Sequence, residues 1–346
     1  MTMKKIIILN VLMLVFSGCG QATKTTADST EEQTIFKRYN MKSLFKKKTK
    51  VPEWASFFGN NEYLLFINEV ENYFKNLNVQ YELADGQVFV GKNEFGFSNL
   101  GLVNLAQVCK QDEPKNYKEI INEHFSSFIR ADQFEKEFAK IAENFEEVKK
   151  YIGVRLYHNE YISSIGKENT IGKDFAGDIY ETVVFDFPHS IINIKPEQTT
   201  AWNKTNDELF EVGVENIKNK YPLTITKENF GEFSIWFVSG EHFFNPNIVF
   251  DIENRKELIG SKGSLIGLPH RHSAIIYPIE NLEVIKAING LIPAIYGMCK
   301  EGPGSLSDNL LWYKDKKFTQ LPYKIEDNKL QFFPPEDFLN LLNELE

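Results

Sequence analysis

Apolar residues along this chain fall into short alternating runs and helix-spaced stripes. Tyr63 to Val70, then Tyr73, Phe74 and Leu77, recur at helical spacing. Val79 to Leu83 and Gln87 to Val90 alternate around Asp85-Gly86, a strong hairpin signal. Glu94 to Phe97 reads as a further strand and Leu100 to Lys110 as a short helix. Pro114 opens a helix with Ile120, Ile121, Phe125, Phe128 and Ile129 on its inner face. Phe134, Phe138, Ile141, Phe145 and Val148 mark another near residues 133–150.

The second half alternates more regularly. Strands are predicted at Gly153 to Tyr157, Gly177 to Phe187 (with Ile191 to Ile194 past Pro188), Leu223 to Thr226 and Phe233 to Val238. Ser264 to Leu268, Ser273 to Tyr277 and a hairpin of Asn309 to Tyr313 with Phe318 to Leu321 follow. Thr205-Asn-Asp-Glu208 is a capping box opening a helix that Pro222 ends. Asn245-Pro246 suggests an N-cap with Pro at the first helical position, and a helix to Ile259. Leu282 to Met298 is a helix expected to kink or split at Gly290 and Pro293. A last helix opens at Pro334-Pro335. This order predicts an α+β fold: a mixed β-sheet with helices covering one face, preceded by a small helix/hairpin subdomain. The expected division is an N-terminal α+β subdomain at 52–150 and a C-terminal α+β domain at 151–346.

Residues 1–18 have a different character. Lys4 and Lys5 precede the apolar run Ile6 to Phe16, and the small Ser17 and Gly18 precede Cys19. That is the layout of a lipoprotein signal peptide, with cleavage before Cys19 and a covalent lipid on its thiol. Phe16 stands where such signals usually carry Leu. The run is too short to span a bilayer, which takes about 20 apolar residues. An acylated Cys19 would hold the chain to a membrane outside the cytoplasm, at the cell membrane or outer membrane, on its periplasmic or extracellular face. Residues 19–51 read as a disordered tether. Within it Lys37, Arg38, Lys42, Lys46, Lys47, Lys48 and Lys50 form a basic stretch without an acid. Lys37–Lys50 could rest on anionic headgroups, at about 1 kcal/mol per basic residue, or be a solvated basic face.

Composition narrows the function classes. The net charge is −9, and loss of Lys4 and Lys5 with the signal leaves −11. So acidic a chain is a poor general binder of nucleic acid. The 29 Phe residues can fill a large core. With Cys19 committed to lipid, only Cys109 and Cys299 remain, which excludes a disulfide framework. One bridge between them is open; two buried free thiols is the plainer reading.

Local words then suggest a resemblance. Gly101-Leu-Val-Asn-Leu105, Pro114 and Asn116-Tyr-Lys-Glu-Ile-Ile121 are similar to an Asn-Leu helix followed by an Ile-Ile-bearing helix. Leu268-Pro-His-Arg-His-Ser-Ala-Ile-Ile276 is similar to a Pro-any-Arg-Asp turn running into an apolar strand. Together these resemble the YtpQ-like family of uncharacterised bacterial proteins, over roughly residues 60–320. Pro269 and Arg271 match, and His272 stands where the family has Asp. The resemblance implies no catalytic assignment. Its members are typically intracellular, so an exported, anchored chain departs from them.

The densest chemical candidate is His270-Arg271-His272. In an extended segment the two imidazoles would share a face. With His242 or Glu241 as a third ligand they could hold a metal. A structural turn with hydrogen-bonded His is the bland alternative, and no metal is expected. His189 has the same standing. Gly260 to Gly267 is glycine-rich but runs Lys262-Gly263-Ser264 into a strand, where a phosphate loop needs a helix. Glu181, Asp186 and Glu232 lie in or near strands, with Glu181 and Val183 sharing a face. Two functions follow as expectations. One is a lipid-anchored, non-catalytic binding or scaffold module of the cell envelope. The other is a metal-assisted or acid/base hydrolase on an envelope substrate, using His270, Arg271, His272 and His242.

Overall fold

The computed structural model describes residues 50–93, 98–326 and 329–345. Cys19, the signal segment, the basic stretch up to residue 49 and the expected strand Glu94 to Phe97 lie outside them. The described residues form two compact units, 50–132 and 133–345.

The first unit opens with helix α1 (Asn60–Asn76). Strands β1 (Tyr81–Ala84), β2 (Gln87–Val90) and β3 (Asn99–Gly101) make a three-stranded antiparallel sheet. Asp85 and Gly86, at φ 47° and 75°, form the expected turn. Helices α2 (Val103–Lys110) and α3 (Tyr117–Phe138) follow. Leu100 was expected to open a helix. It pairs instead with Val88 in the sheet, where it is buried, and the helix starts at Val103. The helical stripe Phe66, Val70 and Phe74 packs with Val88, Leu105, Ile121 and Phe125.

The divide between units falls inside α3, and not at residue 150 as the sequence suggested. Phe134, Phe138 and the short helix α4 (Phe145–Val148) pack with Ile152, Phe185 and Phe187. The aromatic stripe of residues 133–150 thus covers the second unit's strands.

That unit holds two sheets. β4 (Ile152–His158), helix α5 (Asn159–Ile165), β5 (Gly172–Ala176), β6 (Ile179–Asp186) and β7 (Ile191–Asn193) come first. Their sheet runs β4-β6-β5, with β7 also paired to β6. Helix α6 (Asn206–Lys220) packs on β4. Its capping box closes as expected: Glu208 N donates to Thr205 Oγ1 (3.2 Å), and Thr205 N donates to the Glu208 carboxylate (2.8 Å). The larger sheet joins β8 (Thr224–Phe230), β9 (Phe233–Ser239), β10 (Ser264–His270), β11 (Ser273–Pro278), β12 (Leu310–Lys314) and β13 (Lys317–Leu321), in the order β13-β12-β10-β11-β9-β8. Helix α7 (Val284–Glu301) connects β11 to β12. A hairpin of β14 (Tyr323–Glu326) and β15 (Lys329–Phe332) and helix α8 (Glu336–Glu344) close the chain.

The fold is α+β. The strands divide among several sheets, and every described pairing is antiparallel, where one mixed sheet was expected. Parallel neighbours would need direct crossovers. Here α7 carries the chain past β10, so β11 and β12 flank β10 and both run against it. Alternation along the large sheet sorts its two faces. Leu265, Ile275, Leu310 and Trp312 pack with Leu291 and Ile295 of α7 and Phe338 of α8. Ile266, Leu268, Ile276 and Leu311 pack with Ile248, Val249, Ile252 and Leu258. Those last four sit in 3-10 turns, Asn245–Phe250, Ile252–Asn254 and Lys256–Leu258, where an α-helix was expected. Asn245 does not cap a helix. Its Nδ2 donates to Gly240 O (3.1 Å) and His272 O (2.6 Å). α7 runs unbroken through Gly290 and Pro293, since Ile288, Leu291, Ile292 and Ile295 all bury on one face. No described helix is long and apolar enough to cross a membrane.

Candidate functional site

The ends of β9, β10 and β4 bring the sequence candidates together within the second unit. β10 reaches Pro269, which has no N–H for the ladder, and the register with β11 shifts between Gly267 and His270. Residues 304–307 run along the irregular end of β10. Arg271 N donates to Gly304 O (3.1 Å), Leu306 N to Pro269 O (2.9 Å) and Ser307 N to Leu268 O (3.1 Å). His270-Arg271-His272 is therefore not an extended segment. Arg271 and His272 form the turn of the β10–β11 hairpin, with His270 paired to Ser273. The His270 and His272 rings still approach, at 6.0 Å between centroids. Gly304, at φ +71°, lies so close that a Cβ there would come within 2.6 Å of Arg271 Cδ.

Hydrogen bonds fix the three imidazoles. His270 Nδ1 accepts from His272 N (3.2 Å), so the neutral ring carries its proton on Nε2, 3.3 Å from Ser273 Oγ. His242 Nδ1 accepts from Phe244 N (3.2 Å) and Nε2 donates to Pro222 O (3.2 Å). His272 Nε2 accepts from Arg271 Nε (3.1 Å), which leaves its proton on Nδ1. Burial, then Arg271, holds the His270 ring down to about 4. Burial, then Arg271, His270, Arg155 and His242, holds His272 well below its ordinary value. Burial likewise lowers His242, against the pull of Pro222 O and Asp186.

The His270, His272 and His242 rings thus spend one lone pair each on protein donors. Among the described residues no group of three His, Cys, Asp or Glu side chains is placed to hold a metal ion. The cluster also contains a residue the sequence reading passed over. Arg155 sits mid-strand in β4 and is 5% exposed. Its guanidinium lies 4.8 Å from the Tyr157 ring centroid and 6.0 Å from that of Phe243. Arg271, also 5% exposed, lies 4.7 Å from the Phe243 centroid. Two buried guanidinium groups therefore share one half-buried ring. Arg155 Nε and Nη1 are buried with no hydrogen-bond partner. A charged residue inside the apolar run Ile152 to Tyr157 was the available signal.

The acids singled out in the sequence have structural roles elsewhere. Asp186 is buried, and holds Lys220 Nζ (2.6 Å) and the Tyr221 hydroxyl (2.9 Å). Glu181, raised by burial, pairs with Lys173 (3.2 Å). Glu232 pairs with Lys286 at the surface, and Glu241 is exposed. His189 lies in the turn between β6 and β7. Lys262, in the glycine-rich stretch, pairs with Glu344 (2.8 Å), and the stretch leads into β10. A second polar group was missed because its members are distant in sequence. Asp178 takes His158 Nε2 (3.0 Å) and the Ser307 hydroxyl (2.6 Å). There the carboxylate stands between Ser and His, so the imidazole does not reach the hydroxyl as a base would. Cys109 and Cys299 are free, and burial pushes the Cys299 thiol up to about 11.

A described surface hollow of about 450 Å³, open to solvent, is lined by Lys149, Lys150, Glu211, Val212, Glu215 and Asn216, and none of the candidate residues lies in it. No protein-family model, curated protein or solved structure matches this chain.

Proposed function

We propose that this protein is a lipid-anchored, non-catalytic binding module of the cell envelope. The folded units take a ligand, and an acylated Cys19 holds them at the membrane. The basic stretch Lys37–Lys50 would rest on anionic headgroups. The layout Lys4-Lys5, apolar run, Ser17-Gly18-Cys19 supports the anchor. One observation carries the non-catalytic reading. The Ser273–His270 pair has its imidazole donating to the hydroxyl, because Nδ1 is already taken by His272 N. An imidazole so placed cannot accept the serine proton.

Two measurements test the reading. Labelled palmitate should enter the wild-type chain and be lost in Cys19→Ala, with the protein leaving the membrane fraction. The purified protein should turn over nothing in a broad panel of esterase, peptidase, glycosidase and phosphatase substrates. Turnover that disappears in His270→Ala would instead establish the hydrolase.

A further inference from the structure

Arg155 is a buried charge without an ion pair among the described residues, and its Nε and Nη1 lack any acceptor. Taking a guanidinium out of water costs several kcal/mol unless a charge or a full set of acceptors replaces the water. The acids that share its face of the sheet are committed elsewhere. Arg155 stands opposite Thr182 of β6, so Asp186, four residues on, projects to the same side. Asp186 is held by Lys220 Nζ (2.6 Å) and the Tyr221 hydroxyl (2.9 Å). Asp174 of β5, opposite Tyr180, projects to that side too and pairs with Lys167 (2.7 Å). What approaches the Arg155 guanidinium is aromatic: the Tyr157 ring at 4.8 Å and the Phe243 ring at 6.0 Å. Such rings attract the charge but accept none of its in-plane N–H bonds. Strand β4 fixes the backbone beneath it, so the side chain has little freedom to seek a partner elsewhere.

We infer that Arg155, between Tyr157 and Phe243, receives the carboxylate of a ligand, which rests on the binding reading above and names its ligand chemistry. A carboxylate is planar, carries one charge and accepts on both oxygens. A guanidinium takes it through two parallel N–H···O bonds. One carboxylate therefore balances this one guanidinium and supplies acceptors that its nitrogens lack. The pair forms beside rings that hold water back, where each such bond is stronger than in solvent. A lysine here would offer a point charge without the fork. The carboxylate belongs to a small organic acid or to the free C-terminus of a peptide, and the same fork receives either. Burial of Arg155 favours the small acid, which has least bulk to bring past the rings.

The test uses the full chain in detergent. Sodium acetate replaces sodium chloride at constant ionic strength near neutral pH, and the melting temperature is followed. A saturable rise with acetate is expected, as binding to the folded state alone requires. Acetamide, which keeps the shape of acetate without its charge, should give none. Arg155→Met should abolish the rise. Arg155→Lys keeps the charge and loses the fork, so acetate should bind about tenfold more weakly. This second variant serves if Arg155→Met fails to fold. Lactate and acetyl-dialanine, the latter as free acid and as its amide, separate the sources. A rise at lower concentration with the free-acid peptide than with lactate, and none with the amide, assigns a peptide C-terminus. The reverse order of the two acids assigns a small organic acid. No saturable rise with any of these acids, equal effects of acetate and acetamide, or a rise that persists in Arg155→Met overturns the inference. Tighter binding of inorganic phosphate than of every carboxylate overturns it too. Those results leave the non-catalytic reading standing, since only turnover defeats it.

Discussion

His270 shows how one hydrogen bond decides what a side chain can do. A proton from His272 N occupies Nδ1, so the imidazole faces Ser273 as a donor. Charging the ring would turn Nδ1 into a second donor facing that N–H, in an enclosed place beside Arg271. The folded ring therefore stays neutral down to about pH 4, whereas a free ring takes its proton near 6.5. Between those values unfolding binds a proton that folding excludes. The sign follows: this contribution to stability is full above about pH 6.5 and is lost as pH falls toward 4. The whole loss from this ring is about 3 kcal/mol. Urea midpoints from pH 7.5 to 4.5 should fall in the wild type and fall less in His270→Asn. His272 acts in the same direction and remains in the variant, so the slope should flatten without vanishing. Identical slopes would show that His270 does not carry the effect.

Helix α6 and strand β4 approach closely at Gly213 and Gly153. A Cβ on Gly213 would come within 2.8 Å of the Gly153 carbonyl carbon and 2.9 Å of its oxygen. A Cβ on Gly153 would meet Ile217 Cδ1 at 2.8 Å, the end of a flexible chain. The two glycines should therefore respond differently. Gly213→Ala has backbone to push against and should destabilise by about 1–3 kcal/mol. Gly153→Ala should cost less, and Ile217→Val should recover part of it. Urea unfolding of the three variants checks this, and an equal cost for both alanines would contradict it. The elements legible in the sequence were those fixed locally: the Asp85-Gly86 turn, the Thr205–Glu208 box and the alternation of β10 to β12. What escaped was set by distant partners. Asn245 looked like a cap, and its amide is drawn instead to Gly240 O and His272 O. Leu100 looked helical until Val88 claimed it. The β14–β15 hairpin alternates too, but charged residues hid the pattern. His270, His272 and His242 were found by type. Arg155, from a strand over a hundred residues away, was not, because nothing local marks a charge as lacking its counter-ion.

At the scale of the molecule, stability and site belong to different residues. The first unit closes on Phe66, Val70, Phe74, Ile121 and Phe125, all within residues 50–132. The second closes on three clusters that draw on none of these. Arg155, Phe243, Arg271 and His272 all lie in the second unit. A cavity cut in one core should therefore loosen that unit before the other. Phe74 is fully buried, with Phe125 at 4.8 Å and Tyr81 at 5.5 Å between ring centroids. Phe74→Ala should remove about 3–5 kcal/mol of packing from the first unit. Hydrogen exchange should then quicken in α1 and in β1 to β3, with β10 to β12 still protected. Leu291→Ala, which opens the core under α7, should do the reverse at about 2–5 kcal/mol. Uniform loss of protection in either variant would mean that the two units unfold as one, and that the site depends on both cores.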